Sequence, residues 1–95
     1  MLEKELENKF VRAVKAAGGK AYKFTSPGTD GVPDRLVVLP GGYIGFVELK
    51  QRGKKPTKLQ ELQIKRLCEL GCRVFVLDRQ EDIEYVIRMI RGDVE

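Results

Sequence analysis

Ninety-five residues, 42% hydrophobic and 34% charged, make one soluble globular domain near the lower size at which a chain folds on a single core without staples. The sequence contains no histidine, which excludes a Ser-His-Asp triad, a His-Cys pair and a His-ligated zinc. Any hydrolysis must therefore run on carboxylates, lysine and a hard, oxygen-preferring cation.

In chain order, Leu2, Leu6, Phe10, Ala13, Val14 and Ala17 recur at helical spacing, which predicts a helix from Leu2 to about Ala17, stopped by Gly18-Gly19. Lys20–Phe24 alternates lysine with apolar residues and reads as a short strand. Ser26-Pro27-Gly28 and Asp30-Gly31 punctuate a loop. Arg35–Leu39 (RLVVL) is a second strand, and the Pro40-Gly41-Gly42 turn leads to its partner, Tyr43–Lys50. A basic loop, 51–56, follows.

Thr57 with Gln60 three residues on predicts a capping box and a helix start. Leu59, Leu62, Leu67 and Leu70 supply that helix with an apolar side, and Gly71 ends it. Arg73–Leu77 (RVFVL) is nearly all apolar, as in a strand covered on both faces. Asp78 is read as the cap of a last helix, in which Ile83, Val86, Ile87 and Ile90 fall on one side. The two cysteines, Cys68 and Cys72, read as core or near-core thiols in a reduced, intracellular setting. The fold class is α/β, bordering on α+β, in the order αβββαβα with a mixed sheet flanked by helices. A crossover through the second helix would set the last strand parallel to the third. The whole chain, 1–95, forms one domain, with no membrane-spanning run and no secretory signal.

Charge is unevenly placed. Residues 9–66 carry thirteen Lys/Arg against four Asp/Glu, whereas residues 67–95 carry four against seven. Lys50, Arg52, Lys54, Lys55 and Lys58 form a run without an intervening acid, which suits a polyanion through counterion release. The plainer reading of such a run is a solvated loop.

Chemistry concentrates at Pro33-Asp34, before the second strand, and at Glu48-Leu49-Lys50, ending the third. Alternation puts Glu48 and Lys50 on one face, with Cα atoms roughly 7 Å apart. The hairpin brings Asp34 beside them. Two carboxylates and a lysine next to a basic loop fit phosphodiester hydrolysis, with Mg²⁺ or Mn²⁺ held by the carboxylates. Taken singly, Asp before a strand is a common turn residue, and Glu-x-Lys at a strand end is often solvated. Glu48, however, follows the apolar Ile44, Phe46 and Val47 in a central strand, where a lone charge is costly.

GVPDR at Gly31–Arg35, ELK at Glu48–Lys50 and TKLQ at Thr57–Gln60 resemble the VRR-NUC branch of the PD-(D/E)XK nucleases, in particular its stand-alone, phage-type members. The resemblance spans nearly the whole chain and implies a restriction-endonuclease-like core. It implies Mg²⁺ or Mn²⁺ coordination by Asp34, Glu48 and the Leu49 carbonyl, with Lys50 as catalytic lysine and Gln60 and Glu7 completing the site. Gln60 has a rival explanation as the N3 partner of Thr57. Glu7 shares its azimuth with Glu3, and periodicity does not separate the two. Lys23, Arg35, Arg52, Lys54, Lys55 and Lys58 read as phosphate contacts. The implied activity is a metal-dependent, structure-specific endonuclease acting on branched DNA such as Holliday junctions, as a homodimer or higher oligomer, in a host cell cytoplasm if phage-encoded. The competing readings are a DNA-binding or assembly subunit with little cleavage activity, and a small module whose basic loop contacts an acidic protein.

Overall fold

The structure, a computed structural model, describes residues 1–93, so the last two residues of the 1–95 domain lie outside the described residues. The elements run α1 (Glu3–Ala16), β1 (Lys20–Lys23), β2 (Arg35–Leu39), β3 (Tyr43–Leu49), α2 (Lys58–Glu69), β4 (Val74–Leu77) and α3 (Ile83–Ile90). A 3-10 turn, Gln80–Asp82, precedes α3. The order is the one read from the sequence, and it gives the mixed-sheet α+β fold.

The four strands lie in the order β1-β2-β3-β4. β1 pairs antiparallel with β2, β2 antiparallel with β3, and β3 parallel with β4. A tight turn closes the central hairpin, with the Gly42 N–H donating to the Leu39 carbonyl at 3.1 Å. The parallel step is possible because α2 carries the chain back before β4 begins.

One sheet face carries the core. Ala21, Val37, Leu39, Val47, Leu49 and Leu77 alternate onto it and pack against Leu6, Phe10 and Val14 of α1 and Ile83, Val86, Ile87 and Ile90 of α3. Gly45 leaves room for α3, since a Cβ there would lie 2.7 Å from the Ile90 side chain. Each buried aliphatic or aromatic side chain contributes about 1.5–3 kcal/mol, so this layer dominates stability.

The opposite face is only partly covered, and three sequence expectations fail here. Of the four leucines of α2 only Leu67 is half-buried; Leu59 and Leu62 are exposed and Leu70 is 81% exposed. β4 is an edge strand, and Val76 is exposed rather than covered on both faces. Cys68 is exposed and Cys72 half-buried, so Cys68 is no core thiol. Periodicity shows which side of a helix is apolar, but a partner for that side is a tertiary fact. A fourth correction concerns Asp78. The residue preceding α3 is Asp82, and the Asp78 carboxylate instead accepts the Gly53 N–H at 3.2 Å, tying the basic loop to the end of β4.

Candidate active site

The partly covered face holds the chemistry. Because Val47 and Leu49 point into the core, Glu48 and Lys50 point the other way, as alternation requires. Arg35 is paired with Val47, so one step further out Asp34 stands opposite Glu48. Pro33 is buried, the Asp34 carbonyl accepts the Phe24 N–H at 2.8 Å, and Asp34 Oδ2 accepts the Leu49 N–H at 2.8 Å. The aspartate is thereby fixed to both neighbouring strands.

Glu48 is 2% exposed, the one buried charged side chain of the described residues. Its Oε2 accepts the Gln60 amide at 2.8 Å and lies 3.4 Å from Lys50 Nζ, while its Oε1 is buried with no partner. Burial pushes its carboxyl up from 4.5 to about 7, with the nearby Asp34 charge adding to the rise. Lys50 opposes this by charge and hydrogen bond, and Glu3 contributes a smaller upward push.

The two explanations of Gln60 prove compatible, because an amide has an acceptor end and a donor end. Its Oε1 accepts the Thr57 N–H at 2.9 Å and its backbone N–H donates to Thr57 Oγ1 at 3.2 Å, completing the capping box. Its Nε2 then faces Glu48. The cap fixes which way the amide points.

Glu7 and Arg35 depart from the sequence reading together. Arg35 Nε donates to Glu7 Oε2 at 2.9 Å and Arg35 Nη1 to the Ala21 carbonyl at 3.0 Å, on the core side of the sheet. Glu7 is thus satisfied by an arginine away from Glu48, and Arg35 is a half-buried rivet between α1 and β2 rather than an exposed phosphate contact. Of the acids on α1, Glu3 is the one whose charge acts on Glu48.

Lys23, Lys54, Lys55 and Lys58 are exposed. Arg52 is exposed too and lies 3.8 Å from Glu81, a distance at which an exposed pair contributes little. The basic residues between Lys50 and Gln60 therefore flank the carboxylates along the chain, with the loop held by its bond to Asp78. Sequence reasoning missed that tie, since Asp78 before a helix pattern has an adequate local explanation as a cap.

Among the described residues, no group of three or more His, Cys, Asp or Glu side chains could hold a metal ion. The residues present nonetheless fit a hard cation. A buried carboxylate oxygen without a partner is a costly orphan, and a second carboxylate beside it raises the cost; an oxygen-preferring cation removes both penalties. The Leu49 backbone, next in the chain after Glu48, is tied to the Asp34 carboxylate through its N–H.

A hairpin that presents Pro-Asp on one strand and Glu-x-Lys on the next, with a glutamine reaching in from the following helix, defines a nuclease of the PD-(D/E)XK class. The chain is 53% identical over 79 residues to "Putative nuclease p44" of Acyrthosiphon pisum secondary endosymbiont phage 1, a match covering 83% of this chain and 85% of that protein. Among solved structures, a chain described as a VRR_NUC domain superposes with a TM-score of 0.84 at 32% identity, over 90% of this chain and 94% of that one. No family model matches the sequence. This chain belongs to the VRR-NUC family of nucleases.

Proposed function

We propose that the chain is a Mg²⁺- or Mn²⁺-dependent, structure-specific DNA endonuclease, acting on branched substrates such as Holliday junctions as a homodimer or higher oligomer in the cytoplasm of a host cell. The observation that carries this reading is the buried Glu48 carboxylate, with one oxygen unpartnered, set against Asp34 and Lys50. Asp34, Glu48 and the Leu49 carbonyl would hold the cation, which when bound neutralises charge growing on the phosphate and lowers the pKa of a water.

The rest is the work of side chains. Gln60 holds Glu48 Oε2 in place, and the Leu49 N–H does the same for Asp34. Lys50, whose Nζ lies 3.4 Å from Glu48, would orient the attacking water or take part in its deprotonation. Lys54, Lys55, Lys58 and Lys23 supply phosphate contacts that position the backbone without reading sequence. Support for self-association comes from the apolar side chains left exposed, Tyr22, Ile44 and Val76 on the sheet and Leu59, Leu62 and Leu70 on α2. Two copies related by a two-fold axis would present two such sites, as symmetric cutting of a junction requires.

The test is incubation of labelled four-way junctions, flaps, nicked duplex and plain duplex with Mg²⁺, Mn²⁺ or chelator. Cleavage is expected with either metal and lost in chelator, with junctions cut in preference to duplex. Asp34→Ala should stay folded, lose at least about a thousandfold in rate and keep or gain affinity, because it removes a negative charge facing phosphate. Cleavage undiminished in excess chelator, or by folded Asp34→Ala, would overturn the assignment. Binding without cutting by the wild type would leave a DNA-binding subunit as the better reading.

A further inference from the structure

The geometry points to Gly31 as a positioning residue that acts through Gln60. It lets the aspartate loop lie directly against the backbone of the first turn of α2, and that contact sets the Gln60 amide on the Glu48 carboxylate.

Gly31 lies three residues before Asp34 and has φ +86°. A Cβ there would meet the carbonyl carbon and oxygen of Leu59 at 2.8 Å and the Gln60 nitrogen at 3.0 Å. These are backbone atoms, so no rotamer change can make room. Either the loop or the helix must move. The loop is anchored by buried Pro33, by the Phe24–Asp34 backbone bond and by the Leu49–Asp34 bond. α2 has half-buried side chains but no fully buried one, so it is less firmly anchored than the loop and is the element that yields. Thr57 and Gln60 are joined by two hydrogen bonds, so the cap shifts as one body. The 2.8 Å bond from Gln60 Nε2 to Glu48 Oε2 is what a displacement would lengthen.

The same loop contains its own control. Gly28 has nearly the same φ, +81°, but a Cβ on it meets nothing within 4 Å. Gly28→Ala imposes the backbone strain alone, and Gly31→Ala imposes strain and the collision with α2.

The experiment compares Gly31→Ala, Gly28→Ala, Gln60→Ala and the Gly31→Ala/Gln60→Ala double variant by cleavage kinetics, and reads the Gln60 side-chain amide by ¹⁵N NMR in metal-free protein. The kinetic arm rests on the nuclease reading; the NMR arm does not. Gly31→Ala should lower kcat on the order of a hundredfold with KM little changed, as a misplacement near 1 Å does. The double variant should be no slower than Gln60→Ala, because two steps of one chain of contacts are not additive. Gly28→Ala should cut at a near wild-type rate. In NMR the Gln60 amide pair should move in Gly31→Ala and stay in Gly28→Ala. If Gly31→Ala melts below the assay temperature, Gly31→Asn is read in its place, since Asn tolerates positive φ yet keeps the Cβ. Equal costs of the Gly31 change with and without Gln60, or an unmoved Gln60 amide, would overturn the proposal. Failure of the wild type to cut any DNA would instead count against the nuclease reading, with the NMR comparison still deciding the role of Gly31.

Discussion

The two faces of the sheet are built on opposite terms. Against one, α1 and α3 bury Leu6, Phe10, Val14, Ile83, Val86, Ile87 and Ile90. Against the other, α2 buries no side chain completely: Ile64 and Leu67 are only half-buried, and the Gln60 amide reaches the buried Glu48. The first face holds the protein together. The second keeps a charge out of water and tolerates exposed leucines. In so small a chain, stability and chemistry are separated by the two-residue alternation of the strands, not by distance.

The largest expected contrast is in stability. Phe10→Ala should cost about 3–5 kcal/mol, enough to threaten folding. Leu70→Ala should change stability by no more than about 0.5 kcal/mol in dilute protein. Chemical denaturation at two protein concentrations checks this. A Leu70→Ala cost that appears only at the higher concentration would mean that a second copy covers α2, and the contrast between the faces would then hold for the monomer alone.

Next comes pH. The folded Glu48 carboxyl lies near 7 against 4.5 unfolded, so between those values the native state binds the extra proton. Metal-free stability should therefore fall as pH rises from 4.5 to 7, by about 3 kcal/mol, and level off above. Glu48→Gln should remove this slope and melt higher than wild type at pH 8, while losing cleavage. Thermal melts across pH in chelator measure it, and a wild-type profile as flat as that of the variant would show that the open face carries no such strain.

The smallest effect tests the rim of that face. Lys54→Ala with Lys55→Ala should leave the melting curve unchanged. It should reduce the salt slope of DNA binding by about 2, near one unit for each phosphate no longer neutralised. An unchanged slope would mean that these lysines are only solvated.

The order of elements was legible because glycines end α1 and α2 and because periods of 3.6 and 2 alternate cleanly along the chain. The Asp34–Glu48 juxtaposition was legible too, as a consequence of one short turn. What escaped was whatever depended on partners. The leucines of α2 carry a helical pattern that is the same whether the face is buried or bare. Glu3 and Glu7 share an azimuth, and they are separated only by their surroundings, Arg35 beside Glu7 and the Glu48 carboxylate within reach of the Glu3 charge. Gln60 looked like a choice between two roles because the sequence gives an amide's position but not its orientation.

Asp34 and Arg35 are neighbours that face opposite ways, one to the carboxylate site and the other through Glu7 to α1. A random-mutagenesis screen scored for lost activity would collect alleles at both codons. The Arg35 hits would be failures of scaffolding, because removing that guanidinium strands Glu7 and loosens the strand end from which the aspartate projects. A map of the site drawn from such alleles alone would extend it through the sheet to the side packed against α1.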